Sequence, residues 1–115
     1  MAVSLDEVRR VLDPDEPNYK AAASLGTEAL PHLRALVAGD NPMLASKAAY
    51  AASLLEAATG QEVVRAAARS ADPMVRVAAA AAARNLPADS ARVVLSELIT
   101  DDDPGIRKVA QASMP

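Results

Sequence analysis

The feature that most constrains the fold of this chain is a proline that recurs every 31 residues, each time after Asn or Asp. Asn41-Pro42, Asp72-Pro73 and Asp103-Pro104 each open a similar segment, and successive prolines are 31 residues apart both times. Asn and Asp cap helix N-termini, and proline suits the first helical position because its missing N–H would have no partner there. The spacing predicts helices that start at these prolines and belong to stacked repeats.

A second helical pattern precedes these segments. In the stretch 27–38, Leu30, Leu33 and Val37 recur at helical spacing and predict one apolar stripe. Gly26 is expected to end the helix before it. The combined pattern predicts eight helices in four antiparallel pairs: 4–12 with 17–25, 27–38 with 42–56, 60–70 with 73–86, and 89–100 with 104–113.

Polar residues before these first helices predict their N-caps. Ser4 stands three residues before Glu7, and Thr59 stands three residues before Glu62. This is the spacing of a capping box, in which the two side chains satisfy each other's backbone N–H groups. Thr27 is expected to cap the helix that follows it.

The run of alanines from 78 to 83 is interpreted as a packed helix and not as low-complexity filler. On a helix, Val75, Ala79, Ala82 and Leu86 share one face. A second helix that is enclosed on three sides needs small side chains, because larger ones would overpack the contact.

Composition narrows the class of protein further. The chain has 115 residues, a net charge of −3 and no cysteine, which excludes disulfides and thiolate chemistry. It contains no signal-like apolar segment and no long uncharged run, so we expect a soluble, cytoplasmic protein. We expect one domain over 1–115, with repeats at approximately 4–25, 27–56, 60–86 and 89–114.

With its paired helices and its segment LGTEALPHLRALVAGDNPMLASKAAYAASL, the chain resembles HEAT-repeat proteins. It is most similar to the short bacterial HEAT-like repeats of the phycobilin-lyase type. The resemblance implies an all-α fold, a right-handed α-solenoid of about four helical hairpins. It carries little information on activity, because this fold serves many functions.

The resemblance also implies a ladder between repeats, formed by the Asp before each proline and an Arg shortly after it. In this sequence the ladder residues are Asp72 with Arg76 and Asp103 with Arg107. In the second repeat Ala45 stands in the position of the Arg, so we expect the ladder to be interrupted there. Lys20 takes that position in the first repeat.

Nothing in the sequence indicates catalysis. His32 is the single histidine and is interpreted as a surface residue, and the run 101–103 is interpreted as a solvated turn with a helix cap. The glycines stand singly at turns and form no phosphate-binding cluster. We expect a non-catalytic protein without cofactor or metal.

Binding is expected on the second helices, whose outward residues line the concave wall of such a stack. Tyr and Met are frequent at recognition surfaces, and the basic residues favour an acidic, apolar-containing segment of another protein. The alternative for Met43 and Met74 is that they pack under the turns. The candidate partner-binding residues are Met43, Ser46, Lys47, Tyr50, Ser53, Met74, Val77, Ala81, Arg84 and Lys108.

Other functions stay open. The resemblance implies, as an alternative, an accessory protein of the phycobilin-lyase-like or chaperone type. Nucleic-acid binding is disfavoured by the acidic net charge and by the lack of an aromatic stacking platform. Self-association through the open C-terminal end, near Val109 and Met114, is a further hypothesis.

Overall fold

A computed structural model describes residues 2–56 and 58–115, and this part of the chain is helical with short turns. The predicted pairing of eight helices is confirmed in these residues. Short 3₁₀ turns over Gly26–Ala29 and Ala83–Asn85 adjoin two of the helices. The α-helices are α1 (Leu5–Leu12), α2 (Tyr19–Ser24), α3 (Leu30–Ala38), α4 (Pro42–Ser53), α5 (Gln61–Ala68), α6 (Pro73–Ala82), α7 (Ala88–Leu98) and α8 (Pro104–Ser113).

The caps predicted at the recurrent prolines are confirmed. The side chains of Asn41, Asp72 and Asp103 each accept a hydrogen bond from a backbone N–H in the first turn of the helix that follows. Ser4 and Glu7 form the predicted capping box at the start of α1. Each cap satisfies donors that a helix N-terminus otherwise leaves without partners.

The predicted caps at Thr27 and Thr59 are wrong. Thr27 lies inside a 3₁₀ turn, and Gly26 before it has a φ of +72°, which confirms that the preceding helix ends there. The Thr59 hydroxyl donates to the Glu56 carbonyl at 2.8 Å. The cap position of α5 is instead Gly60, which has no side chain to serve as a cap.

The alanine run forms a packed helix, as predicted. Ala79, Ala80 and Ala82 are fully buried in α6, and Val75 is buried on the same face. Helix α6 contacts α4 on one side, α8 on the other and α5 behind it. Small side chains are therefore required, because α6 is enclosed on three sides.

The helices are arranged in two layers. Among the first helices, α3 contacts α5 and α5 contacts α7; among the second helices, α2 contacts α4, α4 contacts α6 and α6 contacts α8. Each helix therefore packs against its hairpin partner and its neighbours in the same layer, and α4 also contacts α5 of the next pair. Within the described residues, every helix is too short or too polar to cross a membrane.

Candidate interaction surface

Helices α4, α6 and α8 pack side by side, and we call the surface formed by their outward residues the second-helix wall. Met43 in α4 and Met74 in α6 are 57% and 50% exposed on this wall. They occupy equivalent positions one repeat apart, and the same position in α8 is Gly105. Both methionines are thus open to solvent. The alternative interpretation, in which they pack under the turns, is wrong.

A groove of about 400 Å³ lies between the N-terminal halves of α6 and α8, and we call it the α6–α8 groove. Two predicted partner-binding residues, Met74 and Val77, lie in it. The other lining residues were not among the predicted partner-binding residues. The full lining is Pro73, Met74, Val77, Asp103, Gly105, Ile106 and Val109.

The groove is open because Gly105 lacks the side chain that Met74 has in the preceding repeat. A Cβ atom placed on Gly105 would meet only the Asp103 carboxylate, at 3.1 Å from Oδ1. That carboxylate is already engaged, since it accepts hydrogen bonds from the Gly105 and Ile106 N–H groups at 2.7 and 3.3 Å. The change from Met to Gly within a repeating position was the signal for this groove in the sequence.

Basic residues of the wall lie on or beside α8. Lys108 is exposed one turn beyond the start of the helix. Arg84, also exposed, donates from Nε to Ser113 Oγ at 3.1 Å, so its guanidinium is held beside the C-terminal end of α8. Ala81, between Arg84 and the groove, is partly exposed. Two positive charges therefore lie on this half of the wall, whereas the carboxylate in the groove lining, that of Asp103, is engaged as the helix cap.

The other half of the wall is used for internal contacts. The rings of Tyr50 and Tyr19 lie 4.7 Å apart between centroids, and burial together with Tyr50 raises the pKa of Tyr19. Lys47 Nζ donates to the carbonyls of Asp13 and Pro14 at 3.1 and 2.9 Å. Lys47 and Tyr50 thus attach the first helical pair to the second.

The two predicted serines contribute less to the surface. Ser46 is partly exposed, but its hydroxyl donates to the Pro42 carbonyl at 2.8 Å. Ser53 is fully buried, and its hydroxyl donates to the Tyr50 carbonyl and accepts from Asn85 Nδ2 at 3.1 Å. The expectation that Ser53 lies on the exposed wall is therefore wrong, because the next repeat covers it.

The predicted ladder between repeats exists, but with a different carboxylate. Arg76 donates from Nε to Asp101 Oδ2 at 2.9 Å, in the turn of the next repeat. Asp72 and Asp103, the residues expected to form the ladder, act as helix caps instead. The pKa of Asp101 is lowered. The hydrogen bond from the Asp103 N–H has the larger effect, and the hydrogen bonds from Arg76 add to it.

The first helices of the third and fourth pairs, α5 and α7, share an ion-pair cluster that the sequence pattern did not predict. Arg65 of α5 and Arg69, the residue that ends this helix, donate to the Glu97 carboxylate of α7 at 3.0 and 2.8 Å. Burial opposes ionisation of Glu97, but the hydrogen bonds from Arg69 and Arg65 outweigh it and lower its pKa. The cluster joins the third and fourth helical pairs on the face opposite the second-helix wall.

His32 is half-buried and not an outer surface residue, since its Nε2 lies 2.6 Å from the Val3 carbonyl oxygen. This contact holds the N-terminal segment against α3. Within residues 2–56 and 58–115, no group of three or more His, Cys, Asp and Glu side chains is placed to hold a metal ion.

No protein-family model matches the chain, and no curated protein shows significant similarity to it.

Proposed function

We propose that this chain is a HEAT-like, right-handed α-solenoid that serves as a non-catalytic protein-interaction module. It binds a segment of a partner protein on the part of the second-helix wall formed by α6 and α8. The observation that carries the proposal is the α6–α8 groove, an apolar recess that Gly105 leaves open beside the half-exposed Met74. The layered, neighbour-to-neighbour packing of the helices supports the solenoid.

The chemistry of the groove selects a partner segment with one large apolar side chain. Met74, Val77 and Val109 supply apolar contacts, and methionine adapts to side chains of different shape. Lys108 on α8, and Arg84 further along the wall at the C-terminal end of α8, favour acidic residues elsewhere in the same segment. The partner is therefore an acidic segment with an apolar anchor.

The polar groups of the groove support binding over catalysis. The Asp103 carboxylate is engaged by two backbone N–H groups at the start of α8. The Arg84 Nε–H, further along the wall, is bonded to the Ser113 hydroxyl, which is buried and itself donates to the Val109 carbonyl at 2.8 Å. These groups are engaged in structural hydrogen bonds, so the proposed site holds a ligand and does not transform it.

The test is a selection of random peptides displayed on phage against the purified chain. We expect acidic peptides with one large apolar residue, and we expect Gly105→Met to lose them because the new side chain fills the groove. This variant restores the residue found at positions 43 and 74 and removes a glycine from a helix, so its thermal stability should rise.

Met43→Ala is the matched control, because Met43 is at least as exposed on the wall as Met74 but lies outside the groove. It should retain the selected peptides at unchanged affinity. Peptides that bind wild type and Gly105→Met equally well, or a selection that enriches no common sequence, would contradict the proposed site.

A further inference from the structure

The arginine ladder has a defined geometry inside the molecule. Nη1 of Arg76 donates to the carbonyls of Ser70 and Ala71, both at 3.1 Å, which fixes the guanidinium against its own turn. Nε and Nη2 then donate to the two oxygens of Asp101 at 2.9 and 3.3 Å. One edge of the guanidinium thus holds the side chain in place, and the other binds a carboxylate of the next helical pair.

Arg107, one repeat later, is held in the same way, but in the part of the chain that the structure describes it forms no ion pair with a carboxylate. Its Nη1 donates to the carbonyls of Asp101 and Asp102 at 2.6 and 3.2 Å. No salt bridge to Arg107 is formed by the described residues, 2–56 and 58–115. Its Nε and Nη2 groups are therefore preorganised to bind a carboxylate on the outward side of α8.

We propose that Arg107 binds the Glu16 carboxylate of a second copy of this chain, in a head-to-tail contact that continues the stack. Asp101 stands two residues before Asp103, the N-cap of α8. Glu16 stands two residues before Asn18, the N-cap of α2, and is exposed. A second copy placed as the next helical pair brings Glu16 to the position that Asp101 has opposite Arg76.

The charges of the two surfaces are complementary. The turn between α1 and α2 presents the exposed carboxylates of Asp13, Asp15 and Glu16, whereas α8 presents Arg107 and the exposed Lys108. Opposite charges attract the two ends and set their register. Because the two surfaces differ, the contact leaves a free end on each copy and adds further copies in a row.

The side chains around Arg107 make this contact weaker than those inside the molecule. Ala80 in α6 and Ala83 in the 3₁₀ turn after it are fully buried, but the equivalent residues are Gln111 in α8 and Met114 just after that helix. Because these side chains are larger, the distance from α8 to a second copy is expected to be greater than the distance from α6 to α8. The ion pair therefore supplies much of the specificity, and association requires high protein concentration.

The test is analytical ultracentrifugation from about 10 µM to about 1 mM protein, a range suited to a small and polar interface. The mean mass of the wild type should rise with concentration beyond that of a dimer. Arg107→Glu and Glu16→Arg should each weaken association by about tenfold or more, because like charges then face each other. An equimolar mixture of the two variants should associate again.

Arg92→Glu is the control for the change in charge, since Arg92 is exposed on α7 and pairs with Asp89 in its own helix. It should associate like the wild type, and circular dichroism should show that all variants keep their helices. A wild type that stays monomeric up to the highest concentration would overturn the proposal. A mixture that associates no better than its two components would overturn it as well.

Discussion

Arg76 and Asp101 connect the third and fourth helical pairs through an ion pair that is largely shielded from water. Their side chains are 19% and 10% exposed, and both oxygens of the carboxylate accept a hydrogen bond from the guanidinium. The same guanidinium bonds two carbonyls of its own turn. One arginine thus joins two turns that belong to successive repeats.

Arg76→Gln should lower the free energy of unfolding by about 1–3 kcal/mol, because it leaves the Asp101 carboxylate and two carbonyls without their donors. Urea denaturation measures this loss. Arg92→Gln removes the same charge from an exposed pair within α7, and should change stability by no more than about 0.5 kcal/mol. Equal effects of the two substitutions would contradict the structural role of the ladder.

Acid should destabilise the protein through Asp101 and Glu97. Hydrogen bonds hold the pKa values of both carboxyls below their ordinary values of 3.8 and 4.5. A lowered pKa in the folded state means that the unfolded chain binds more protons, so this stabilisation is present above about pH 5 and is lost as the pH falls further. Urea denaturation between pH 7 and pH 3 measures the decline, and Asp101→Asn should make it shallower.

Ala79→Leu should cost about 1–3 kcal/mol of stability, because Ala79 is fully buried in the helix enclosed on three sides. The control is Ala78→Leu, one residue earlier and partly exposed. The equivalent positions of the neighbouring repeats hold Lys47 and Val109, so larger side chains are accepted there. Denaturation curves that coincide for the two variants would show that the alanine face is not packed.

Gly60→Ala should destabilise the fold by about 2 kcal/mol or more. A Cβ atom at position 60 would overlap the Ala52 carbonyl oxygen, so one of the two backbones has to move. Gly105→Ala is the control, since its Cβ meets only the end of the Asp103 side chain. Thermal denaturation should show a lower Tm for Gly60→Ala and an equal or higher one for Gly105→Ala.

The helices were predictable because their signals are local. The cap before each proline and the apolar stripe of each first helix depend on residues within a few positions of one another, so Asn41 and Asp72 located α4 and α6 correctly. Residues 54–56 and 60 were predicted as helix but lie in turns. Thr59 was misjudged because its hydroxyl donates to the Glu56 carbonyl, a local alternative that the spacing to Glu62 does not reveal.

The candidate site was predicted in part. The repeat register placed Met74 and Val77 on the wall, but it could not show that Gly105 opens a groove beside them. The repeat also offers two carboxylates, Asp101 and Asp103, within reach of one arginine. Only the three-dimensional arrangement shows that Asp103 caps α8 and leaves Asp101 to form the ladder.

The most direct test of the central claim is the affinity of the chain for an acidic peptide with one large apolar residue, chosen by the phage selection. Fluorescence anisotropy gives the Kd for wild type, Gly105→Met and Met43→Ala. We predict that Gly105→Met weakens binding by about tenfold or more, because the anchor side chain loses its apolar recess. We predict no change for Met43→Ala. An unchanged Kd in Gly105→Met would show that the α6–α8 groove is not the binding site.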